Sequence, residues 1–174
     1  DSVSYSDFTE IQDYIQRVED AVYSKNGCNS NGEHYSDLID VDSFVKVYLI
    51  NEFSMNLDGG ATSFYMYKTG DDKLKAGPVW DFDWGTFQPS SQPFRIAESV
   101  YYGRLLQDPV FVQRVKERWN ALKPKFEEIP DFIDAEKQKL QKSDQINIQM
   151  WPISSRTNGD ETLSYEDAVA RMKN

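Results

Sequence analysis

Apolar residues return every three or four positions along the first segment of the chain, at Phe8, Ile11, Tyr14, Ile15, Val18 and Val22. That period places them on one face of a helix. It predicts a helix from about Asp7 to Tyr23, with Asp7 as cap and Glu10 answering it three residues on. The stretch "SKNGCNSNGEHYS", rich in Asn, Gly and Ser, reads as a loop. A second periodic segment begins near Asp40 or Asp42 and carries Phe44, Val45, Val47, Tyr48, Leu49, Ile50 and Phe53. Being apolar on more than one face, it predicts a buried helix, which stops at "MNLDGG".

The pattern then changes period. "SFYMYK", Ser63 to Lys68, is aromatic enough for a strand, "TGDD" supplies a turn, and "KLKAGPVW" supplies the returning strand. Pro78 cannot donate to a ladder, so the second strand is an edge strand or ends near it. Beyond the hairpin and a proline-containing loop, "QPSSQPF", helical spacing resumes. Tyr101 to Leu106 predicts a short helix. "DPVFVQRVKERWNALKP" has Asp108 as cap, Pro109 in the first turn and Phe111, Val112, Val115, Trp119 and Leu122 on one face. Pro124 is expected to end or kink that helix. A further helix is expected over about Asp131 to Lys142, then a loop around "MWPISSRTNGD", then a last helix capped by Ser164 and Asp167. Trp119 and Trp151 are expected in the core. The fold class is α+β, mostly helical with one β-hairpin, read as a single domain over residues 1–174.

Composition narrows the function classes. The 174 residues include 39% apolar and 14% aromatic side chains, enough for a packed core. The 29 acidic against 19 basic residues give a formal charge of −10, which repels nucleic acid and anionic membranes. No apolar run approaches the roughly 20 residues needed to span a bilayer, so neither nucleic acid binding nor membrane insertion is expected. One cysteine, Cys28, excludes an internal disulfide and a cysteine-based zinc site. One histidine, His34, in a loop-like setting with no nucleophile nearby, argues against a Ser–His or Cys–His mechanism.

The candidate chemistry sits in "GPVWDFDWGTF", where Asp81 and Asp83 stand among Trp80, Phe82, Trp84 and Phe87. A carboxylate buried among rings needs a partner, a hydrogen-bond network or a metal. The four rings read more readily as core than as a ligand platform. Asp58 lies just before the first strand and Asp81 just after the second, so a hairpin can bring them together across 23 positions (81 − 58). Two such acids can hold a divalent cation or divide base and metal-holding roles. The bland alternatives are a turn acid at Asp58, ahead of Gly59 and Gly60, and backbone capping by Asp81 and Asp83. An EF-hand fails because its twelfth position would be Tyr65. A glycosidase could use the paired acids, with Trp80 and Trp84 stacking on sugars. Phosphoryl transfer uses an acid to deprotonate the acceptor and another to hold Mg²⁺, and protein kinases carry them on either side of a hairpin.

The stretch "DVDSFVKVYLINEFSMNLDGGATSFYMYK", with "GPVWDFDWG", "RLLQDPVFVQRVKERWNALKP" and "MWPI" after it, resembles the CotH family, the spore-coat-protein-H-like atypical protein kinases, from about Asp40 onward. The resemblance implies a fold like the C-terminal lobe of a protein kinase. It also implies transfer of the γ-phosphoryl group of ATP, with Mg²⁺ or Mn²⁺, to Ser or Thr of secreted or surface proteins, and an extracellular, periplasmic or cell-surface location in bacteria. Asp58 falls on the catalytic-loop acid and Asp81 on the metal-binding acid. Asp83 is a further ligand or supporting group, and Trp80 the candidate nucleotide-binding side chain. Where kinases place a metal-holding Asn five residues after the catalytic Asp, this chain has Ser63, and Asn56 is the side chain that could compensate. About 40 residues precede the buried helix, without a G-x-G-x-x-G loop or a candidate β3 lysine. An N-lobe and a signal peptide are therefore expected upstream in a longer parent, and the chain alone is expected to be inactive and to hold no cofactor tightly. A non-catalytic surface scaffold or binding module of the same fold is the competing expectation.

Overall fold

The computed structural model describes residues 5–83, 86–87, 93–152 and 163–173. They form α1 (Tyr5–Tyr23), α2 (Tyr35–Leu38), α3 (Val41–Phe53), a 3-10 turn (Asp58–Gly60), β1 (Met66–Tyr67), β2 (Lys75–Ala76), α4 (Tyr102–Leu105), α5 (Pro109–Phe126), α6 (Ile129–Met150) and α7 (Tyr165–Lys173). The architecture is mostly helical with one two-stranded antiparallel sheet, in keeping with an α+β class. The chain falls into two compact units, one reaching to Arg118 and the other starting at Trp119.

In the first unit α3 is the central element. Its N-cap is Asp40, whose side chain accepts the Ser43 amide at 3.0 Å. Phe44, Val45, Val47, Tyr48 and Leu49 are all buried, as expected of a helix apolar around most of its circumference. The core joins them to Val18, Ala21 and Val22 of α1, Leu38 of α2, Leu74, Ile96, Tyr102, Leu105 and Phe111. Aromatic edges organise its centre, with Phe44, Phe64, Tyr101 and Tyr102 meeting at ring separations of 5.9 to 6.4 Å. Such pairs add about 1 kcal/mol each beyond the area they bury. The Tyr102 hydroxyl, sealed from water, is satisfied by donating to the Phe44 carbonyl at 3.0 Å.

The hairpin forms where the change of period places it, with Met66 opposite Ala76 and Tyr67 opposite Lys75, but each strand has only two residues. The reason is competition for backbone groups. Ser63 gives its amide to the Asp58 carbonyl, and Leu74 exchanges bonds with Leu38 and Asp40 in a parallel bridge. The Ala76 amide goes to Ser43 Oγ at 3.0 Å, and Pro78 follows a cis Gly77–Pro78 bond.

Elsewhere the helices depart from the periodic reading at their ends. α1 starts at Tyr5, so Asp7 lies in its first turn. The loop after α1 contains α2, whose N-cap is His34, with Nδ1 accepting the Ser36 amide at 3.2 Å. Asp108 caps α5, its Oδ1 accepting the Val110 amide at 2.8 Å. Pro124 does not end α5 at once: the helix runs two residues past it, to Phe126, although a proline there removes the amide that would bond the Asn120 carbonyl.

The second unit is built from the end of α5 with α6 and α7. Trp119 stacks on Phe126 at 5.4 Å, and the Tyr165 hydroxyl donates to the Lys137 carbonyl at 2.9 Å. Ser164 Oγ accepts the Asp167 amide at 3.0 Å, the cap read from the sequence. α6 runs from Ile129 to Met150, well past the expected Asp131 to Lys142. The placing of Trp119 and Trp151 in the core is corrected: they are 36% and 66% exposed, because α6 and α7 bury no residue against which rings could be covered. The expected loop over "MWPISSRTNGD" falls largely outside the described residues, as does most of "QPSSQPF".

The Arg17–Glu33 pair fastens α1 to the loop that follows it, with Arg17 Nε donating to Glu33 Oε2 at 2.9 Å and Asn29 Nδ2 donating to the same oxygen at 2.8 Å. The guanidinium, then the Asn29 amide, hold the Glu33 carboxyl down at about 2, against an ordinary value of 4.5. A carboxyl depressed in the folded state stabilises the fold above its unfolded value and loses that contribution as pH falls toward the folded one. Glu33→Gln is therefore expected to lower the urea midpoint at pH 7, with the gap from the parent protein closing between about pH 4.5 and pH 2. Equal gaps at pH 7 and pH 2 would contradict this.

Candidate functional site

The candidate site begins at the C-terminal end of α3, where polar residues replace the apolar run. Asn51 is buried, donates from Nδ2 to the Val47 carbonyl at 2.9 Å, and accepts from Asn56 Nδ2 at 3.0 Å. Its main-chain carbonyl accepts the Asn56 amide at 2.8 Å. Asn56 is fully enclosed, and its Oδ1 accepts the amides of Asp58 at 3.1 Å and Gly59 at 3.3 Å. One side-chain amide thus shapes the "NLDGG" loop as an Asx-type turn.

The two glycines are required by close approach. A Cβ on Gly59 would lie 1.9 Å from Asn51 Oδ1, and one on Gly60 would lie 2.5 Å from Ser99 Oγ. The loop is therefore wedged between α3 and the segment around Ile96 to Ser99. That segment is itself pinned by Glu52, whose two carboxylate oxygens accept the amides of Arg95 and Ile96, each at 2.8 Å.

Asp58 emerges from this wedge half-exposed. Its carbonyl accepts the amides of Ala61 at 3.0 Å and Ser63 at 3.1 Å, while no described residue hydrogen-bonds its carboxylate. Ser63, nearly buried, turns its hydroxyl the other way and donates to Asp81 Oδ2 at 2.7 Å. One serine therefore joins the Asp58 loop to Asp81 across the base of the hairpin. Asp81 has φ +65°, a left-handed conformation that Asp tolerates better than most residues at a cost of about 1 kcal/mol.

The surroundings differ from the sequence expectation. Asp81 and Asp83 are exposed, so neither acid sits in an apolar pocket and neither carries the desolvation cost of one. Trp80 and Phe87, expected among the core rings, are 50% and 41% exposed, with Trp80 standing edge-on to Tyr65 at 5.4 Å. Trp84 lies outside the described residues. Asp83 makes no hydrogen bond to another described residue. Asn56 spends its side-chain oxygen on the amides of Asp58 and Gly59 and its Nδ2 on Asn51, so in this conformation its side chain has no oxygen to offer a cation.

Among the described residues no three His, Cys, Asp or Glu side chains converge as a metal cage. Mg²⁺ is commonly bound by one or two carboxylates with phosphates and water completing its shell, and the oxygen donors open to solvent at the base of the hairpin are the carboxylates of Asp58 and Asp81. The supporting residues Asn51 and Glu52 were not singled out from the sequence. The signal available was the pair "NE" ending an otherwise apolar helix.

A protein-family model described as CotH kinase protein matches residues 1–174, the whole chain. The chain belongs to the CotH kinase family. The match begins at residue 1, so α1 and α2, which precede the motifs quoted above, lie inside the family region as well. No curated protein and no solved structure gave a match. Membership supports a kinase-like function in general and implies ATP and a divalent metal in the intact protein. No helix among the described residues is long and apolar enough to cross a membrane.

Replacing Asn56 by Ala strips the acceptor from the buried Gly59 amide and the partly buried Asp58 amide, and the donor from the buried Asn51 side chain. A fully buried orphan costs about 1 to 3 kcal/mol and two of these three are fully buried, so Asn56→Ala should lower the unfolding free energy by roughly 2 to 6 kcal/mol in a denaturant melt. A loss under about 0.5 kcal/mol, the usual effect of a neutral surface change, would mean that the loop is held by other contacts.

Proposed function

We propose that the intact protein transfers the γ-phosphoryl group of ATP to a Ser or Thr hydroxyl of a secreted or surface protein, and that this chain supplies the part of the site equivalent to a kinase C-terminal lobe. Asp58 is the base that accepts the hydroxyl proton as the acceptor oxygen attacks. Asp81 is the carboxylate that would hold Mg²⁺ or Mn²⁺ against the nucleotide phosphates, with Asp83 beside it in sequence as a further ligand. The bound ion would neutralise charge that develops on the phosphoryl oxygens. Trp80, exposed next to Asp81, is the candidate contact for the nucleotide.

The observation that carries this reading is Ser63. Its amide on the Asp58 main-chain carbonyl at 3.1 Å and its hydroxyl on Asp81 Oδ2 at 2.7 Å tie the loop that carries the proposed base to the proposed metal-holding carboxylate. The same observation supports a second reading. Kinases use an Asn side chain here to hold a second ion, and a serine already engaged with Asp81 offers less, so a family member kept as a non-catalytic surface scaffold fits as well.

The test is phosphate labelling of a protein substrate by the full-length parent with ATP and Mg²⁺ or Mn²⁺. Asp58→Asn and Asp81→Asn are each expected to reduce labelling at least about a hundredfold, the scale of a lost general base. Undiminished labelling in both variants ends the enzyme reading. Calorimetry separates the scaffold: heat on adding Mg·ATP to the folded parent favours the enzyme, and its absence favours the scaffold. Ser63→Ala is expected to raise the KM for Mg·ATP more than it lowers kcat, because it releases Asp81 without touching the base.

A further inference from the structure

A cavity of about 470 Å³ opens where the end of α1, the loop after it, α2, α4 and the start of α5 meet. None of its lining residues belongs to the Asp58, Ser63 and Asp81 network. The charged side chains lining it are Lys25, Arg104, Arg114 and Asp108. With His34 neutral, three cations against one carboxylate leave a local charge of +2, in a chain whose formal charge is −10. A local sign opposite to that of the whole molecule concentrates anions at this place.

The one carboxylate in the lining is already engaged. Asp108 Oδ1 accepts the Val110 amide at 2.8 Å, and Oδ2 accepts the Tyr35 hydroxyl. The cations keep neutral company. Arg104 donates to Gln107 Oε1 at 2.7 Å and to the Ser24 carbonyl at 3.1 Å, while its Nε is buried with no acceptor among the described residues. Neither Lys25 nor Arg114 forms an ion pair with a described carboxylate. The loop wall is fixed in shape, since Gly27 has φ +75° and a Cβ there would lie 2.6 Å from His34 Nε2.

We propose that this cavity binds the phosphate group of a small phosphate monoester. Two guanidinium groups and an ammonium suit a compact oxyanion, since guanidinium forks match paired phosphate oxygens. The volume lies in the usual range of ligand sites, about 300 to 1,000 Å³, and exceeds what a bare phosphate fills, which leaves room for the organic part of the ester. The site is independent of phosphotransfer at Asp58 and stands or falls separately from it.

The test is an amide NMR titration of the full chain with inorganic phosphate, with O-phosphoserine and with serine. Saturable shifts centred on Gly27, Arg104 and Val110 are expected with O-phosphoserine and not with serine. The Lys25→Gln/Arg114→Gln double variant, both side chains lying at the surface, should weaken binding by about tenfold or more, as expected when charge-assisted contacts to an anion are lost. Tighter binding of O-phosphoserine than of phosphate supports the ester, and equal or tighter binding of phosphate overturns the ester in favour of the free anion. Absence of saturable shifts with both anions, or unchanged affinity in a double variant that keeps the native spectrum, overturns the site. Each single substitution carries the same reading should the double variant lose that spectrum.

Discussion

The side-chain amide of Asn56 is the constraint on which the candidate site depends. It is enclosed, it satisfies the amides of Asp58 and Gly59, and it is in turn held by Asn51 at the end of α3. A buried amide network is worth most when every member is satisfied, since a partial one leaves orphans at full desolvation cost. The loop that carries Asp58 can therefore take one shape or lose several bonds at once. The glycines follow from that shape, because the loop passes α3 so closely that a Cβ at position 59 would overlap the Asn51 oxygen.

From that point the end of α3 organises everything around it. Asn51 takes the "NLDGG" loop, Glu52 takes the amides of Arg95 and Ile96, and the Ser54 carbonyl takes the Phe87 amide at 2.8 Å. The 56–60 loop, Phe87 and the 95–96 segment meet on the last turn and C-cap of one buried helix. The core that fixes α3, built on Phe44, Tyr48 and Tyr102, is thus also what fixes the acids, and a repacking there would move Asp58 without any change at the site itself. The short hairpin belongs to the same logic. Its strands stop at two residues because Ser63 and Leu74 spend their backbone groups on the loop and on the 38–40 segment.

What the sequence made legible was whatever depends on local period and local caps. α1, α3 and α5, the hairpin turn, the Asp108 cap and the Ser164 cap all rest on contacts within a few residues. Strand length was not legible, since it depends on which distant groups compete for the amides. The exposure of Trp119 and Trp151 was not legible either. A ring on a helix face reads as core only if another element covers it, and α6 and α7 bury nothing. Asn56 was legible as a polar residue near the acids, but composition gives no sign of whether such a side chain faces a cation or its own backbone. Gly59 and Gly60 carried the better clue, because paired glycines after a buried helix announce a close passage as readily as a turn.

The two acids differ in a way that bears on their division of labour. The Asp58 carboxylate accepts nothing from the described residues, whereas the Asp81 carboxylate is oriented by Ser63 and set on a left-handed residue. A base needs an open lone pair that an incoming hydroxyl can reach, and a group that holds a cation benefits from being aimed beforehand. With the roles reversed, Asp58 would have to hold an ion with no described neighbour to orient its carboxylate. The asymmetry in hydrogen bonding is in keeping with the proposed division, Asp58 as base and Asp81 as cation holder, on grounds separate from the family's motif. A serine at this position supplies the donor that aims Asp81, a hydroxyl at 2.7 Å, and gives up the amide oxygen that kinases use for a second ion.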